Sequence, residues 1–322
     1  MAAITFLICS HQAPPSLDAA IESIARQENL ASVEIVVVNN GFAAQRASEL
    51  LARWPGLNLR FVDEPRPGLG FARRTGFAAA TGDFLVLLDD DNTIGPGFVP
   101  QLLETIAGDA ELGAVIPRIE PVWQTPPAQW VVDFGGKCLS YNAAGAFRVT
   151  YADGQYWPAG TATISIRSPG GGMIIRRDVA RHYLENVNDP RRISLARRPD
   201  SLVGCEDEDV FRGVVQLRLA VRYNPGLSAY HHIPDSRTTL NYLLRLNLQM
   251  CYSYGLLYGY VKPQAAFSYR MEAGRIFRNG GAVVRDAMLR RTPVPQAILD
   301  LSREIGWSAG RWRFARERKQ AA

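Results

Sequence analysis

Three consecutive aspartates, Asp89, Asp90 and Asp91, follow the apolar segment 84–88. Adjacent carboxylates repel one another, so their ionised forms are costly unless a cation offsets the charge. Hard oxygen ligands of this kind suit Mg²⁺ or Mn²⁺, which commonly share carboxylates with substrate phosphates. The triplet therefore predicts a site for a divalent cation. A solvated acidic turn is the alternative interpretation.

Two further segments carry groups that could do chemistry. Residues 66–76, with the sequence RPGLGFARRTG, combine close glycines, a helix start and paired arginines. Exposed N–H groups and guanidinium groups suit a diphosphate, although an ordinary glycine-rich loop has the same composition.

Residues 206–209, EDED, open a helical stretch with four carboxylates, more than capping requires. One of them could accept a proton from a hydroxyl group. His231 and His232 are a weaker signal.

The elements that must position these groups follow an alternating pattern. The first 120 residues alternate short apolar runs with helix-like stretches, which predicts βαβ units in a mostly parallel sheet. In open α/β sheets, ligands bind at the carboxyl ends of the strands, where the aspartates stand. We expect one domain over 1–235, with an irregular segment at 119–168, and a helical, basic region over 236–322.

Composition narrows the class of protein. The chain has 322 residues, of which 47% are hydrophobic and 21% charged, so it can bury a sizeable core. Its four cysteines are far apart and form no CxxC pair, which argues against a zinc ribbon or a disulfide scaffold. The amino terminus lacks the basic region of a secretory signal, and no apolar run reaches 18 residues. A cytoplasmic enzyme is the expectation.

Charge is distributed unevenly along the chain. Residues 268–322 hold 12 Lys and Arg against 5 Asp and Glu, whereas the rest of the chain has a small negative net charge. Arginines there are interleaved with Trp307, Trp312 and Phe314, as in helices that lie on anionic membranes. We therefore expect peripheral contact with the inner face of the cytoplasmic membrane. A solvated charged surface is the alternative, and the chain lacks a recognisable nucleic-acid-binding module.

The order of these motifs resembles glycosyltransferase family 2, inverting enzymes of the GT-A fold that use nucleotide-sugar donors. Residues 34–41 (EIVVVNNG), 68–73 (GLGFAR) and 88–92 (LDDDN) are similar to three family segments, the last around the DxD motif. Residues 206–209 are similar to the E-D-x-D segment, and Tyr230-His231 to a late histidine of the metal site. The resemblance covers residues 4 to about 232. It implies a glycosyltransferase domain over 1–235, with a nucleotide-sugar half over about 1–118 and an acceptor half over about 119–235.

The resemblance implies roles for individual residues. Ser10 and Asn39 would line the nucleobase pocket, although the family usually has Asp at the second position. Arg73 would contact the diphosphate and Asp90 the ribose or sugar. The implied donor-binding set is Ser10, Asn39, Gly70, Arg73, Asp89 and Asp90. Mn²⁺ or Mg²⁺ would be bound by Asp91 and His231, and Asp207 would be the general base, with Asp209 as the alternative.

The expected reaction is transfer of a sugar, with UDP-sugars favoured, to a hydroxyl of a glycan or lipid-linked acceptor in bacterial polysaccharide synthesis. The acceptor hydroxyl would attack the anomeric carbon directly while the general base takes its proton. Two alternatives are a nucleotidyltransferase of related fold and a non-catalytic partner protein that binds a nucleotide or sugar. The presence of both Asp91 and Asp207 argues against the second, because a binding module needs no base.

Overall fold

A computed structural model gives the positions of residues 3–139, 142, 145–150, 171–193, 195–198, 200–264, 267–289 and 291–321. The chain divides into two compact units. Unit 1 comprises Met1–Val122, Gly135–Asn188 and Asp207–Ile233. Unit 2 comprises Trp123–Phe134, Asp189–Glu206 and Pro234–Ala322.

Four parallel strands form the core of the sheet in unit 1. They are β1 (Ile4–Ser10), β2 (Val33–Asn39), β3 (Leu59–Asp63) and β4 (Phe84–Asp89), in the order β3-β2-β1-β4. Six of the seven residues of β2 are buried, as expected for a parallel strand covered on both faces. Ser10 lies opposite Asn39, and Cys9 opposite Asp89, so the polar carboxyl ends of three strands meet at one edge.

Helices cover both faces of this parallel core. They are α1 (Pro15–Ala25), α2 (Ala44–Arg53), α3 (Leu69–Ala79) and α4 (Phe98–Ile106). Phe6 contacts Phe98 of α4, with ring centroids 6.2 Å apart. The next side chain, Leu7, lies so close to Gly76 of α3 that a Cβ there would overlap it. Because successive strand residues point to opposite faces, these contacts place α4 and α3 on opposite sides of β1.

The remaining strands extend the sheet beyond β4. They are β5 (Asn92–Ile94), β6 (Leu112–Trp123), β7 (Phe147–Thr150), β8 (Ile174–Arg176) and β9 (Ala220–Ile233). The order continues β4-β8-β6-β9-β5, and β7 also pairs with β9. β8 is antiparallel to β4, and β5 is antiparallel to β9. The last pairing places Asn92 opposite His231, so β9 carries the histidine to the end of β4.

Four more helices follow, namely α5 (Gln129–Cys138), α6 (Arg177–Asn186), α7 (Pro190–Ile193) and α8 (Glu206–Gln216). In unit 1, Gly213 of α8 lies against Val179 and His182 of α6. Gly113 of β6 approaches Val214 of α8 so closely that a Cβ there would require a shift. These contacts fix the second half of α8 against both α6 and the sheet.

Unit 2 contains three long helices, α9 (Leu240–Val261), α10 (Tyr269–Met288) and α11 (Val294–Ala321). Thr239 caps α9, since its side chain accepts a hydrogen bond from the Tyr242 N–H. Glycines bring α9 and α11 together: a Cβ at Gly255 would overlap the Trp307 carbonyl oxygen, and one at Gly310 would overlap the Tyr252 carbonyl oxygen. Within the described residues, none of the helices is long and apolar enough to cross a membrane.

These observations confirm the α/β fold with a mostly parallel sheet flanked by helices, and they correct one local prediction. The segment predicted to be irregular, 119–168, contains α5 and β7, and its residues 151–168 lie outside the described residues. The division at residue 235 stays a prediction.

Candidate functional site

The turn between β4 and β5 carries two of the three clustered aspartates. Asp90 and Asp91 form this turn, directly after Asp89 at the end of β4. Ser10 Oγ, at the end of β1, donates a hydrogen bond to Asp90 Oδ2 at 2.6 Å. The parallel pairing of β1 with β4 makes this contact possible, since it places the two strand ends side by side. Ser10 therefore fixes the orientation of the Asp90 carboxylate.

Arg73 brings positive charge to the first of these aspartates. Its side chain is only 4% exposed, and Nη2 lies 3.5 Å from Asp89 Oδ1, whereas the Asp89 side chain is 40% exposed. A buried guanidinium needs charged or hydrogen-bonding neighbours to offset its lost hydration. Arg73 is on α3 and Asp89 on β4, so their contact joins the glycine-rich segment to the aspartate cluster.

Gly171 lies directly against the same cluster. A Cβ at this position would be 2.7 Å from Asp89 Oδ2 and would overlap Asn92 Nδ2. The next residue, Gly172, has φ +96° and donates its N–H to the Leu87 carbonyl oxygen at 2.6 Å. A residue without a side chain is therefore needed at 171, because Asp89 and Asn92 occupy the space that a side chain would fill.

Asp91 and His231 form the second pair at this edge of the sheet. His231 Nε2 lies 3.8 Å from Asp91 Oδ2, and His231 Nδ1 donates to the Leu139 carbonyl oxygen at 3.0 Å. Burial opposes protonation of this imidazole, but the hydrogen bond and negative charge of Asp91 outweigh it, so the pKa of His231 is raised. The Leu139 contact also directs Nε2 towards Asp91.

This pair has the chemistry of a divalent metal site. A carboxylate oxygen and an imidazole nitrogen are both ligands of Mn²⁺, and a backbone carbonyl that holds the other ring nitrogen is a common orienting contact of metal-binding histidines. Among the described residues, no group of three or more His, Cys, Asp or Glu side chains is placed to bind a metal. Asp91 and His231 thus fit a cation whose remaining ligands come from water or substrate phosphates.

Asn39 forms a turn at the end of β2. Its Oδ1 accepts hydrogen bonds from the N–H groups of Gly41 at 3.1 Å and Phe42 at 2.8 Å. Its Nδ2 donates to Asp63 Oδ1 at 2.9 Å and to the Phe42 carbonyl oxygen at 3.0 Å. An amide fits here because it accepts on one side and donates on the other, whereas an aspartate would face the Asp63 carboxylate.

Asn40 holds the segment that precedes α3. Its Nδ2 donates to the carbonyl oxygens of Glu64 and Arg66, each at 2.7 Å, and its Oδ1 accepts from the Gly68 N–H at 2.9 Å. Gly68 has φ +123°, a conformation that favours glycine, and it precedes the first turn of α3, where Gly70 is buried. Asn40 therefore fixes the position of a helix N-terminus, which is suited to an anion.

The buried carboxylate of Glu64 also holds the segment that precedes α3. Its oxygens accept from Arg66 Nη2 at 2.7 Å and from Thr75 Oγ1 at 2.6 Å. Hydrogen bonds from Arg66, followed in importance by those from Thr75, outweigh the effect of burial and lower the pKa of Glu64 to about 2. The Glu64 carboxylate therefore stays ionised at neutral pH and ties Arg66 to α3.

The four carboxylates at the start of α8 differ in their surroundings. Glu206, Glu208 and Asp209 are buried, while Asp207 is half-buried. The Asp209 side chain is 2% exposed and accepts from Arg212 Nη1 at 3.4 Å. Asp207 accepts a hydrogen bond from the Glu208 N–H at 2.9 Å. Solvent, and hence a substrate hydroxyl, reaches Asp207 more readily than Asp209.

The predicted site residues thus occur mainly in two places. At the carboxyl edge of the sheet, contacts join Ser10 to Asp90, Arg73 to Asp89, and His231 to Asp91. Asp207 and Asp209 lie in the first turn of α8. Sequence reasoning missed Asn40, Asp63, Glu64 and Gly171, all of which contact predicted residues or their supports. Asn40 lies within the recognised segment 34–41, whereas Asp63, Glu64 and Gly171 gave no separate signal.

Curated relatives share parts of this sequence. ExoM of Rhizobium meliloti (strain 1021), a succinoglycan biosynthesis protein, is 22% identical over 257 residues, which are 78% of this chain and 73% of ExoM. EpsH of Bacillus subtilis (strain 168) is 27% identical over 112 residues, which are 34% of this chain and 32% of EpsH. The chain therefore spans about a third of EpsH but most of ExoM.

Solved structures show the same fold. TarS of S. aureus, residues 1–349 in complex with UDP-GlcNAc, superposes with a TM-score of 0.53 at 12% identity, covering 98% of this chain and 92% of that one. GalNAc-T7 in complex with UDP, GalNAc and Mn²⁺ superposes with a TM-score of 0.52 at 17% identity. The match covers 84% of this chain and 52% of GalNAc-T7. Residues 5–183, more than half of the chain, match the family described as Glycosyl transferase family 2. The chain belongs to this family of transferases, and its fold is GT-A.

Proposed function

We propose that this protein transfers a sugar from a nucleoside-diphosphate sugar, with UDP favoured, to an acceptor hydroxyl, with inversion at the anomeric carbon. The observation that carries the proposal is the set of contacts at the carboxyl edge of the sheet, which groups Ser10, Arg73 and His231 around three aspartates. TarS and GalNAc-T7, which share the fold, were solved with UDP-GlcNAc and with UDP, respectively, and this supports the choice of donor.

The donor is bound by residues on β1, β2 and α3. Ser10 and Asn39 contact the nucleobase, and the Asp90 carboxylate, oriented by Ser10, binds a hydroxyl of the ribose or sugar. The N-terminus of α3 at Gly70, together with Arg73, faces the diphosphate, since N–H groups and a guanidinium both bind phosphate oxygens. Asp89 keeps Arg73 in place before the donor arrives.

A divalent cation, Mn²⁺ or Mg²⁺, bound by Asp91 and His231, would neutralise charge that develops on the diphosphate as it leaves. The Mn²⁺ in the GalNAc-T7 complex supports this choice. His231 keeps its Nδ1 on the Leu139 carbonyl oxygen, so Nε2 remains available at the edge of the sheet.

Asp207 acts as the general base. The acceptor oxygen forms a bond to the anomeric carbon while the bond from that carbon to the diphosphate breaks, and the hydroxyl proton passes to Asp207. A single displacement of this kind inverts the anomeric centre. The exposure of Asp207 supports this role over Asp209, whose carboxylate is buried against Arg212.

The acceptor is a glycan or a lipid-linked acceptor, and the product belongs to a polysaccharide. This part of the proposal is supported by ExoM and ExoO, both named succinoglycan biosynthesis proteins. The enzyme acts in the cytoplasm of a bacterium, on small-molecule donors and glycan acceptors rather than on nucleic acid.

A thermal-shift panel tests this function. Wild-type protein and Asp91→Ala are heated with UDP, GDP, CMP, TDP and ADP, each with and without Mn²⁺. A ligand that binds the folded state raises the melting temperature by mass action. We expect stabilisation by UDP that requires Mn²⁺ and is lost in Asp91→Ala. If none of the nucleotides stabilises the wild type, the proposal is wrong, and a non-catalytic partner protein becomes the better explanation.

A further inference from the structure

Exposed apolar side chains are concentrated in unit 2. Fifteen large hydrophobic residues are exposed among the described residues, and ten of them lie between residues 269 and 312. These ten are Tyr269, Met271, Phe277, Val284, Met288, Leu289, Val294, Ile298, Ile305 and Trp312. Single exposed apolar residues are common, but a concentration of this kind on two neighbouring helices marks a binding surface.

On α10, the two most exposed of these side chains share one face with Val284. Phe277 is 85% exposed and Met288 79%, with Val284 between them. The spacings of seven and four residues place all three on one side of a helix with 3.6 residues per turn. Glu272 and Arg275 lie on the other side, since Arg275 donates to Glu304 and to Ser308 of α11. The face with Phe277 is therefore not the face that packs on α11, and it is left uncovered.

On α11, four exposed residues also form one stripe. Val294, Ile298, Ile305 and Trp312 follow at intervals of four, seven and seven residues. Trp312 Nε1 donates to Tyr269 Oη at 3.1 Å. A Cβ at Gly280 would lie 3.2 Å from Leu301 Cδ2.

Tyr269 and Gly280 lie on α10 between the face that packs on α11 and the face with Phe277, and Trp312 belongs to the α11 stripe. The two apolar faces therefore adjoin on one side of the helix pair. The α10–α11 surface is defined here as Phe277, Val284, Met288, Val294, Ile298, Ile305 and Trp312. It joins the apolar face of α10 to that of α11 within unit 2.

The charges around this surface are positive. All five acidic residues of segment 268–322 pair with arginines of the same segment. The pairs are Glu272 with Arg275 and Arg311, Asp286 with Arg285, Asp300 with Arg303, Glu304 with Arg275, and Glu317 with Arg313. Arg270 and Arg278 are exposed on α10, near the face of Phe277. An occupant of this surface must therefore accept apolar side chains and positive charge together.

The positive charge around the α10–α11 surface favours some binding partners over others. A second copy of this chain would bring arginines against arginines, which is unfavourable. The surface of an anionic lipid bilayer accepts large apolar side chains below its headgroups and attracts arginine at the level of the headgroups. We propose that the α10–α11 surface binds the anionic surface of a lipid bilayer, with Phe277, Met288 and Trp312 inserted at the boundary between headgroups and acyl chains.

The surface differs from the one that the aromatic pattern of α11 predicts. Trp307 packs on Tyr258 of α9, with ring centroids 5.5 Å apart, and Phe314 lies against Gly259 of α9 and Tyr260. Of the three aromatic residues first considered, only Trp312 is exposed. The binding face therefore contains Trp312 but neither Trp307 nor Phe314, and its two most exposed residues, Phe277 and Met288, lie on α10.

Vesicle co-sedimentation of the full chain tests the proposal. Vesicles of phosphatidylcholine alone are compared with vesicles that also contain phosphatidylglycerol, at low and high salt. The apolar variant is Phe277→Ser/Met288→Ser, with Leu51→Ser/Leu217→Ser as the matched control on unit 1. The charge variant is Arg270→Gln/Arg278→Gln, with Arg26→Gln/Arg181→Gln as its control. Melting curves and nucleotide-dependent stabilisation show whether each variant is folded.

We expect the wild type and both controls to bind the anionic vesicles, and high salt to weaken this binding. The apolar variant and the charge variant should each bind about tenfold more weakly while keeping the melting temperature and the nucleotide response of the wild type. The proposal is overturned if the wild type does not bind, if it binds phosphatidylcholine equally well, or if both folded variants bind like the wild type. A dimer in sedimentation analysis that Phe277→Ser/Met288→Ser abolishes would overturn it in favour of self-association.

Discussion

The amide of Asn39 connects two strand ends at the residue scale. It accepts from two N–H groups of the turn after β2 and donates to Asp63 at the end of β3. The family resemblance implies aspartate at this position, and the departure has a physical reason in this chain. A carboxylate at residue 39 would stand beside the Asp63 carboxylate, and neighbouring like charges disfavour each other's ionised form.

A double-mutant cycle tests this coupling. Asn39→Asp should lower the free energy of unfolding at pH 7 by about 1 kcal/mol, because the new carboxylate loses a hydrogen bond and gains a repulsive neighbour. Asp63→Asn in the same chain should restore most of the loss, because the amide at residue 63 can donate to the carboxylate. Urea unfolding of the four proteins measures the coupling. Additive effects would contradict the direct contact.

The Glu64 carboxylate predicts a specific dependence of stability on pH. Its pKa is about 2 in the folded protein against 4.5 ordinarily, so its ionised form stabilises the fold. This contribution is complete above pH 4.5 and is lost as the pH falls towards 2. Glu64→Gln should therefore destabilise the protein at pH 6 but much less at pH 3. Glu49→Gln, at an exposed site on α2, is the control. Equal losses of stability in Glu64→Gln at pH 6 and pH 3 would contradict the lowered pKa of Glu64.

At the scale of elements, the turn before β8 sets the space around the aspartate cluster. An alanine at residue 171 must displace Asp89 or Asn92, and overpacking of this kind costs about 1–3 kcal/mol. Gly171→Ala should thus weaken nucleotide-dependent stabilisation about tenfold in apparent affinity. Gly56→Ala is a suitable control, because nothing lies within 4 Å of the position that a Cβ would take there. Unchanged nucleotide binding in Gly171→Ala would show that the turn before β8 does not affect the nucleotide site.

The close approach of α9 and α11 makes a second prediction at this scale. A Cβ at Gly310 would overlap the Tyr252 carbonyl oxygen and lie 2.8 Å from the Leu256 nitrogen, both backbone atoms. Gly310→Ala should therefore destabilise the protein by about 1–3 kcal/mol, although alanine favours a helix. Gly281→Ala on α10 has open space and should be neutral or stabilising. Similar melting temperatures for both variants would contradict the described packing.

For the whole molecule, the features that sequence predicts best are those with a strong local pattern. Apolar runs that alternate with helix-like stretches predicted the parallel core and placed the aspartates at its carboxyl edge. The hydrogen bond from Ser10 to Asp90 was not predicted. The EDED segment predicted carboxylates at the start of a helix. The segment does not show which of Asp207 and Asp209 is accessible to substrate, since only tertiary packing shows that Asp209 is buried against Arg212.

Other features depend on contacts between distant segments. The positions of Gly171 against Asp89 and of Asn40 against Gly68 join residues 82 and 28 positions apart, and no local pattern encodes them. The exposed face of α10 was missed for a different reason. Its apolar residues have the spacing of an ordinary amphipathic helix. That spacing shows which residues share a face, but it does not show whether the face is buried against α11 or exposed.

The measurement that tests sugar transfer most directly is release of UDP from the UDP-sugar that stabilises the protein, with water in place of the acceptor. Wild type, Asp207→Asn and Asp209→Asn are compared in Mn²⁺, after thermal shift confirms that each binds the donor. Removal of a general base costs about 10²–10⁴ in rate. We expect a loss of this size in Asp207→Asn with donor binding retained, and a smaller loss in Asp209→Asn. UDP release by Asp207→Asn within a few-fold of wild type would contradict the proposed base.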